Sequence, residues 1–432
     1  MIGRVVRPFR WRFCVLAASC CALGAAYGCG ETPKDGASTT AGAGGSAVSS
    51  GGSATQAAGQ AGSGVTAGAT SSGGAQVIAG NANGGGAGVA QVNGGNGGNG
   101  GATSAGASGN AGAAGAGSTE PLQIYWIDVE GGAATLLIAP NGEVVVVDAG
   151  FPGSRDPERI AKVLKDEVKA DHIDHMICTH YHTDHVGGVS TLGGLLPITH
   201  FYDHGATVQA GNDYNSYVSF AGNKRVLTKA GDKLTLGDVV LTFVTAAGKV
   251  IDPPLPGSKA NPTCPATSTP NMDGGAENGQ SLGFIARFGN FSFLDLGDLT
   301  WDIEQVLMCP TNRIGTVDLF QVSHHGQDFS NSPQLVHALA PVVAVMNNGA
   351  SKGGGTGTFE TLKSSPGIQD IWALHQVTAN DAAHNAEAAL TANLAGGQDA
   401  ANYIKAVVAP NGSYTLTNGR TGMSKTYAAR LP

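Results

Sequence analysis

The stretch Thr179-His180-Tyr181-His182-Thr183-Asp184-His185-Val186-Gly187-Gly188 decides how this chain is read. It follows the apolar run Met176-Ile177-Cys178 and sets three histidines and an aspartate within six residues. An apolar run of this kind reads as the end of a buried strand, which puts the H-x-H-x-D-H pattern on the loop leaving it. His180 and His182, two apart in extended backbone, can turn both imidazoles to one metal ion. Asp184 and His185 then face the other way, towards a neighbouring ion. Imidazole and carboxylate are ligands that borderline cations such as Zn²⁺ favour. Gly187 and Gly188 let the backbone turn tightly into a following helix.

Upstream of the motif, Leu122–Val129 and Ala133–Ala139 read as an antiparallel pair around Glu130-Gly131-Gly132. Pro140-Asn141-Gly142 turns the chain into Glu143–Asp148, whose four valines suit a strand buried on both faces. Pro157–Val168 has the apolar stripe of an amphipathic helix, with Asp156 at its cap, and His175–Thr179 delivers the motif. Downstream come a short helix near Val189–Leu196, a strand at Ile198–Tyr202, a long irregular part, and a strand at Val239–Ala246. Ile251–Gln280, with six prolines, reads as one long loop.

The second half repeats this grammar. Ser281–Phe288 and Phe291–Leu296 form a hairpin closed by Gly297-Asp298. Trp301–Met308 is helical, and the buried strand Val317–Val322 ends at Ser323-His324-His325-Gly326. Helices at Pro333–Leu339 and near Phe359–Lys363 alternate with strands at Val342–Met346 and Ile371–Leu374. Tyr403–Ala409 and Tyr414–Asn418 close the chain as a hairpin. Two similar α+β halves of this kind predict two sheets packed face to face between helical layers.

The N-terminal region reads differently. Residues 1–29 carry Arg4, Arg7, Arg10 and Arg12, then an apolar run from Phe13 to Tyr27, then Cys29, the pattern of an export signal of lipoprotein type with Cys29 lipidated. Residues 30–119 are rich in Gly, Ala and Ser. From Gly36 to Thr119 they contain no charged and no aromatic residue, so they read as a disordered linker. The folded domain is therefore expected at 120–432, on a tether that places it in the periplasm or at the cell surface, with the membrane reached only through the lipid anchor. Residues 1–119 hold five basic and two acidic residues of the chain's 24 and 32, which leaves 19 against 30 and a formal charge of −11 on the domain. That balance argues against long nucleic acid as a partner. Outside the export segment, Cys178 reads as a buried apolar residue, and Cys264 and Cys309 could form a disulfide in an oxidising compartment.

With these residues in view, the chain resembles the metallo-β-lactamase superfamily of metal-dependent hydrolases. Five features fall in the same order: Asp148-Ala149-Gly150, His180-x-His182-x-Asp184-His185, Ser281, Gly297-Asp298 and His324-His325-Gly326. Within the superfamily it looks most like the hydrolase domain of competence (DNA-uptake) proteins and the related phosphorylcholine esterases, which share an Asn-x-x-Ser (Asn278 and Ser281 here) and the doubled histidine. The resemblance implies a four-layer αββα sandwich with the site at one edge. It implies that His180 and His182 bind one divalent ion, that Asp184 and His185 bind a second, and that Asp298 bridges them. His324 or His325 completes the second set, and Asp148 orients the loop through hydrogen bonds. The ions implied are Zn²⁺, with Mn²⁺ as an option. The resemblance lacks one element: a histidine between the first motif and the Gly-Asp strand. Only His200 and His204 lie there, and His204 reads as a surface or packing residue. Asp128 and Glu130 read as hairpin caps, and His375 and His384 as packing or solvated histidines.

Two such ions would generate hydroxide near neutral pH and polarise the group under attack, with Asp184 or Asp298 relaying a proton. No serine or cysteine nucleophile stands out. The expectation is an exported metal-dependent hydrolase acting on a small-molecule or envelope-derived phosphodiester or related ester. Lactone or amide hydrolysis of β-lactamase type, nuclease activity and a non-catalytic surface binding role remain the alternatives.

Overall fold

Four consecutive valines show how the layers are built. In a strand, successive side chains point to opposite faces. Val145 and Val147 accordingly lie in one hydrophobic core, and Val144 and Val146 in another. The computed structural model describes residues 119–265, 275–396 and 399–430. The expected export signal and nearly all of the linker fall outside the described residues, as does Cys29.

Among the described residues the strands form two nine-stranded sheets. In spatial order the first runs Ser424–Tyr427, Tyr414–Asn418, Ile404–Val408, Leu122–Trp126, Thr135–Ile138, Val144–Val147, Ile173–Ile177, Ile198–Asp203 and Arg225–Leu227. The second runs Thr391–Asn393, Asp370–His375, Val343–Met346, Leu319–Gln321, Phe291–Asp295, Gly283–Phe288, Val239–Ala246 and Lys233–Leu236, with Lys249–Val250 paired to Val239–Ala246. Ile124, Trp126, Val147 and Ile177 of the first sheet share a core with Phe243, Phe284, Phe293, Leu319 and Trp372 of the second. The outer face of the first sheet packs under helices Arg155–Val163, Val189–Leu195 and Asn212–Ala221. The outer face of the second packs under Trp301–Met308, Pro333–Leu339 and Thr356–Lys363. The architecture is the four-layer αββα sandwich expected from the sequence. Each fully buried valine or leucine in these cores contributes about 1.5–3 kcal/mol relative to exposure.

The sheets are also pinned by polar contacts. Trp126 Nε1 and Thr135 Oγ1, both on the first sheet, donate to Gln321 Oε1 of the second at 2.9 and 2.7 Å. Gln321 is buried and lies two residues before Ser323-His324-His325-Gly326, so this contact fixes that segment relative to the opposite sheet. In both sheets the functional loops leave the C-terminal ends of parallel strands: Val144–Val147 and Ile173–Ile177 in one, Phe291–Asp295, Leu319–Gln321 and Val343–Met346 in the other. Loops from such ends converge at one edge, where α/β sheets commonly place their sites.

Several local expectations are corrected. The irregular part after Ile198–Asp203 contains helix Asn212–Ala221 and strands Arg225–Leu227 and Lys233–Leu236. The α-helix expected to reach Val168 ends at Val163 and continues as a π-helical turn over Leu164–Val168. Its N-cap is Ser154. Asp156 is instead a buried brace whose Oδ2 accepts from the Phe151 N–H at 2.8 Å. The loop expected over Ile251–Gln280 includes the short strand Lys259–Ala260, paired with Thr311–Asn312, and it is tied down by a Cys264–Cys309 disulfide. Cys178 is free and buried, as expected. No helix among the described residues is long and apolar enough to cross a membrane.

Candidate metal centre

Asp148 organises the first side of the site. The residue takes a left-handed backbone (φ 60°), unusual outside glycine, which aims its carboxylate at the motif loop. Its Oδ1 accepts from the Thr179 N–H at 2.9 Å and its Oδ2 from the Thr179 hydroxyl at 2.6 Å. The same Oδ2 accepts from His185 Nδ1–H at 2.7 Å, which fixes the His185 tautomer and leaves Nε2 facing inward. This is the orienting arrangement expected for Asp148.

On the second side, His324 and His325 both adopt left-handed backbone (φ 54° and 53°), at a cost of about 1–3 kcal/mol each. Hydrogen bonds enforce the turn: His324 N–H to Gly297 O at 3.0 Å, Ser323 N–H to Asn331 Oδ1 at 2.9 Å, and Gly354 N–H to His325 O at 2.8 Å. Gly297 is itself left-handed, and a Cβ there would meet Thr179 Cβ at 2.8 Å, so only glycine lets the Asp298 loop approach the motif loop.

These two sides meet around one oxygen. Asp298 Oδ2 lies 3.2 Å from His185 Nε2, 3.3 Å from His324 Nε2, 3.5 Å from His325 Nε2 and 3.8 Å from His180 Nε2. Asp184 Oδ2 lies 3.1 Å from His325 Nε2 and 3.4 Å from His185 Nε2. His182 joins from outside, its Nδ1 at 3.0 Å from His180 Nε2 and its Nε2 at 3.3 Å from Gln209 Oε1. All seven residues singled out as ligands thus converge at one edge. The geometry also separates the doubled histidine. His325 groups with Asp184 and His185, while His324 sits across Asp298, against Asn278 Nδ2 (3.4 Å) and Ser330 Oγ (3.2 Å).

The electrostatics show what the cluster demands. Burial pushes the Asp298 carboxyl up, but the surrounding imidazoles of His185, His324 and His325 outweigh it and hold it well below the usual range. Burial disfavours charge on His185, yet Asp298, Asp148 and Asp184 hold its pKa well above 6.5. His325 is raised in the same way, against burial, by Asp298 and Asp184. Burial dominates at His180, which is pushed far down, and at His324, which falls to about 4. The pocket therefore attracts positive charge at its centre. Asp184, His185, Asp298 and His325 can each offer one ligand atom, all within 4.8 Å of one another and all buried, a set that fits a divalent cation.

Three contributors were not legible beforehand. Lys352 Nζ contacts Asp184 Oδ2 and stands 5.3 Å from the Phe151 ring centre. Gln209 touches His182. Glu277 is buried and accepts from the N–H groups of Tyr181 (3.2 Å) and Val208 (3.0 Å), with His204 Nε2 at 2.9 Å, so it ties the motif loop to its neighbours. His204 is accordingly a packing residue. Asp128 does cap the hairpin turn, its Oδ1 accepting from the Glu130 N–H at 2.9 Å, and His375 is buried as a packing residue would be. The two also form, with Glu130, a second cluster of ligand-type groups that was not expected, with His375 Nε2 at 2.7 Å from Asp128 Oδ1 and 4.0 Å from Glu130 Oε2.

The family model of the metallo-beta-lactamase superfamily matches residues 128–258, a span that holds the whole first motif. Recombination protein 2 of Haemophilus influenzae is 26% identical over 230 residues, covering 52% of this chain and 24% of that protein. Among solved structures, the metallo-beta-lactamase fold protein YhfI of Bacillus subtilis is 13% identical with a TM-score of 0.37, covering 59% of this chain and 96% of the other. Igni18, a metallo hydrolase of Ignicoccus hospitalis, is 13% identical with a TM-score of 0.32, covering 56% and 85%. Residues 128–258 thus carry the likeness to the metallo-beta-lactamase superfamily, and the αββα layers and the order of the site residues agree with it.

Proposed function

We propose that the chain is an exported hydrolase of phosphodiesters or related esters that works with two divalent ions, Zn²⁺ or Mn²⁺. The observation that carries this reading is the position of Asp298 Oδ2, within 3.8 Å of four imidazole nitrogens from both halves of the domain. Asp184, His185, Asp298 and His325 would hold one ion. His180 and His182, with Asp298 shared and His324 across it, would hold the other. Bound there, divalent cations supply Lewis acidity and make water acidic enough to ionise near neutral pH. Asp148 keeps His185 in the tautomer that presents Nε2. Asp184, at the partly open rim, can take up a proton at its carboxylate and pass it to the leaving group. Burial of His180, His185, Asp298 and His325 excludes bulk water and strengthens each of these interactions.

The test is a substrate panel on the full chain loaded with Zn²⁺ or Mn²⁺: bis-p-nitrophenyl phosphate, p-nitrophenyl phosphorylcholine, nitrocefin, a lactone and single-stranded DNA. Turnover of the phosphate esters that is lost on chelation and restored by metal supports the reading. Turnover confined to nitrocefin or the lactone overturns it in favour of amide or lactone hydrolysis. The likeness to a recombination protein favours a second reading, a nuclease, which the formal charge of −11 on residues 120–432 opposes. The DNA arm of the panel separates the two.

A further inference from the structure

Beside the metal-ligand candidates stands a cation that the proposed chemistry has not used. Lys352 lies in Ala350-Ser351-Lys352-Gly353-Gly354-Gly355, a stretch that is closely packed and hydrogen-bonded in the structure. Gly353 N–Cα–C runs so close to the doubled histidine that a Cβ there would sit 2.1 Å from His325 O, and its φ of 81° also excludes most side chains. Gly354 N–H donates to His325 O at 2.8 Å and Gly355 N–H to Gly326 O at 2.7 Å. The Gly349 N–H donates to Lys352 O at 2.9 Å, closing the loop on itself. Lys352 is thus clamped to the segment that carries His325. Its side chain is 35% exposed, with Nζ on Asp184 Oδ2 and over the Phe151 ring. Phe151 also lines an open groove of about 590 Å³ with Glu130, Pro152, Gly153, Ser154 and Arg155.

We propose that Lys352 is the substrate-binding cation of this site: it receives an anionic oxygen of the ester next to the metal centre, while the substituent lies along Phe151 and Pro152. The inference rests on the ester-hydrolase reading and narrows it to anionic substrates, such as phosphodiesters. A lysine that met only Asp184 would need neither partial exposure nor an aromatic wall beside an open groove. A single ammonium can contact Asp184 and a substrate oxygen together, because it carries three donors.

The experiment compares the wild-type chain with Lys352→Met and Lys352→Arg, all loaded with Zn²⁺. Steady-state kinetics are measured on anionic bis-p-nitrophenyl phosphate and neutral p-nitrophenyl acetate, together with calorimetric binding of inorganic phosphate and bound zinc per chain. The proposal expects Lys352→Met to raise KM for the diester, and to weaken phosphate, by about tenfold or more. The diester should lose at least about fivefold more than the neutral ester does, bound zinc should be unchanged, and Lys352→Arg should restore most of that difference. Equal losses on both esters, a fall in bound zinc, or unaltered phosphate binding would each overturn it, because Lys352 would then serve only to brace Asp184. A wild-type chain that turns over neither ester, yet loses phosphate affinity in Lys352→Met, refutes the hydrolase reading and leaves the anion subsite standing.

Discussion

Two clusters in this domain are built from the same chemical groups and differ in what neutralises them. At the first, Asp298 and Asp184 face the imidazoles of His185, His324 and His325, and among the described residues the fixed cation in contact is Lys352, on Asp184 at the rim. At the second, Asp128 and Glu130 face His375, but Arg159 Nη1 lies 3.3 Å from Asp128 Oδ2 and 3.8 Å from Glu130 Oε1. The Arg159 side chain is only 13% exposed. A guanidinium is always charged, so the second cluster carries its counter-ion covalently. At the first, among the described residues, a covalently held cation reaches Asp184 but none reaches Asp298, so its centre is poised to take an ion from solution. Ligand-type residues within reach of each other therefore do not define a metal site; the charge left uncompensated among them does.

The largest effect is expected at the oxygen the first cluster shares. Asp298→Asn should reduce bound metal to background and cut turnover on the order of a thousandfold or more, read by elemental analysis and by the substrate panel. Asp128→Asn, the matching change in the second cluster, should leave bound metal unaltered. Equal metal loss in both variants would erase the contrast.

A smaller effect is expected one shell out. Asp148→Asn keeps the shape but upsets the bond that sets the His185 tautomer, so metal affinity should fall about 10–100-fold in a competition titration with a chromogenic chelator. Wild-type affinity in that variant would mean that the Asp148 bonds to Thr179 and His185 serve folding alone.

The contrast can also be broken deliberately. Arg159→Ala strips the second cluster of its cation and should cost about 3 kcal/mol in urea unfolding, because it leaves buried carboxylate charge unpaired. If Arg159 fills the role of an ion, millimolar Zn²⁺ should recover part of that loss in the variant and add nothing at this cluster in the wild type.

The smallest effect is the pH dependence of the second cluster. Burial lowers the His375 pKa, but the bond and charge of Asp128 outweigh it and raise the pKa above 6.5. Burial raises the Asp128 pKa, and His375, the Glu130 N–H and Arg159 together lower it below 3.8. A raised histidine contributes stability fully present below 6.5 and lost as pH rises through the folded value. A lowered carboxyl contributes stability present above 3.8 and lost as pH falls through the folded value. The destabilisation by Asp128→Asn should thus be larger at pH 6 than at pH 9, by on the order of 1 kcal/mol. A pH-independent difference would assign the cost to Arg159 alone.

What the sequence made legible was local and periodic. The valine run before Asp148 and the histidine spacing after Cys178 each report their own environment, a buried strand and the four ligand candidates His180, His182, Asp184 and His185; Asp298, His324 and His325 entered only through the resemblance. What it hid depends on distant convergence. His375 meets Asp128 across 247 positions, and Lys352 meets Asp184 across 168. Neither partner marks the other in sequence; the three glycines after Lys352 are the local sign of the close backbone approach to His325. The choice between His324 and His325 was equally hidden. The adjacent left-handed residues give their rings different partners, Asp184 for His325 and Asn278 and Ser330 for His324, which no spacing rule anticipates. Helix Asn212–Ala221 leaves little trace in the sequence because its asparagines, serines and aromatics are modest helix formers and its buried residues are Tyr217 and Ala221.

The most direct test of the central claim is anomalous diffraction from crystals of the chain grown with Zn²⁺. The account predicts an anomalous peak enclosed by Asp184, His185, Asp298 and His325 and none among Asp128, Glu130 and His375. An empty first cluster, or a peak at the second alone, would contradict it.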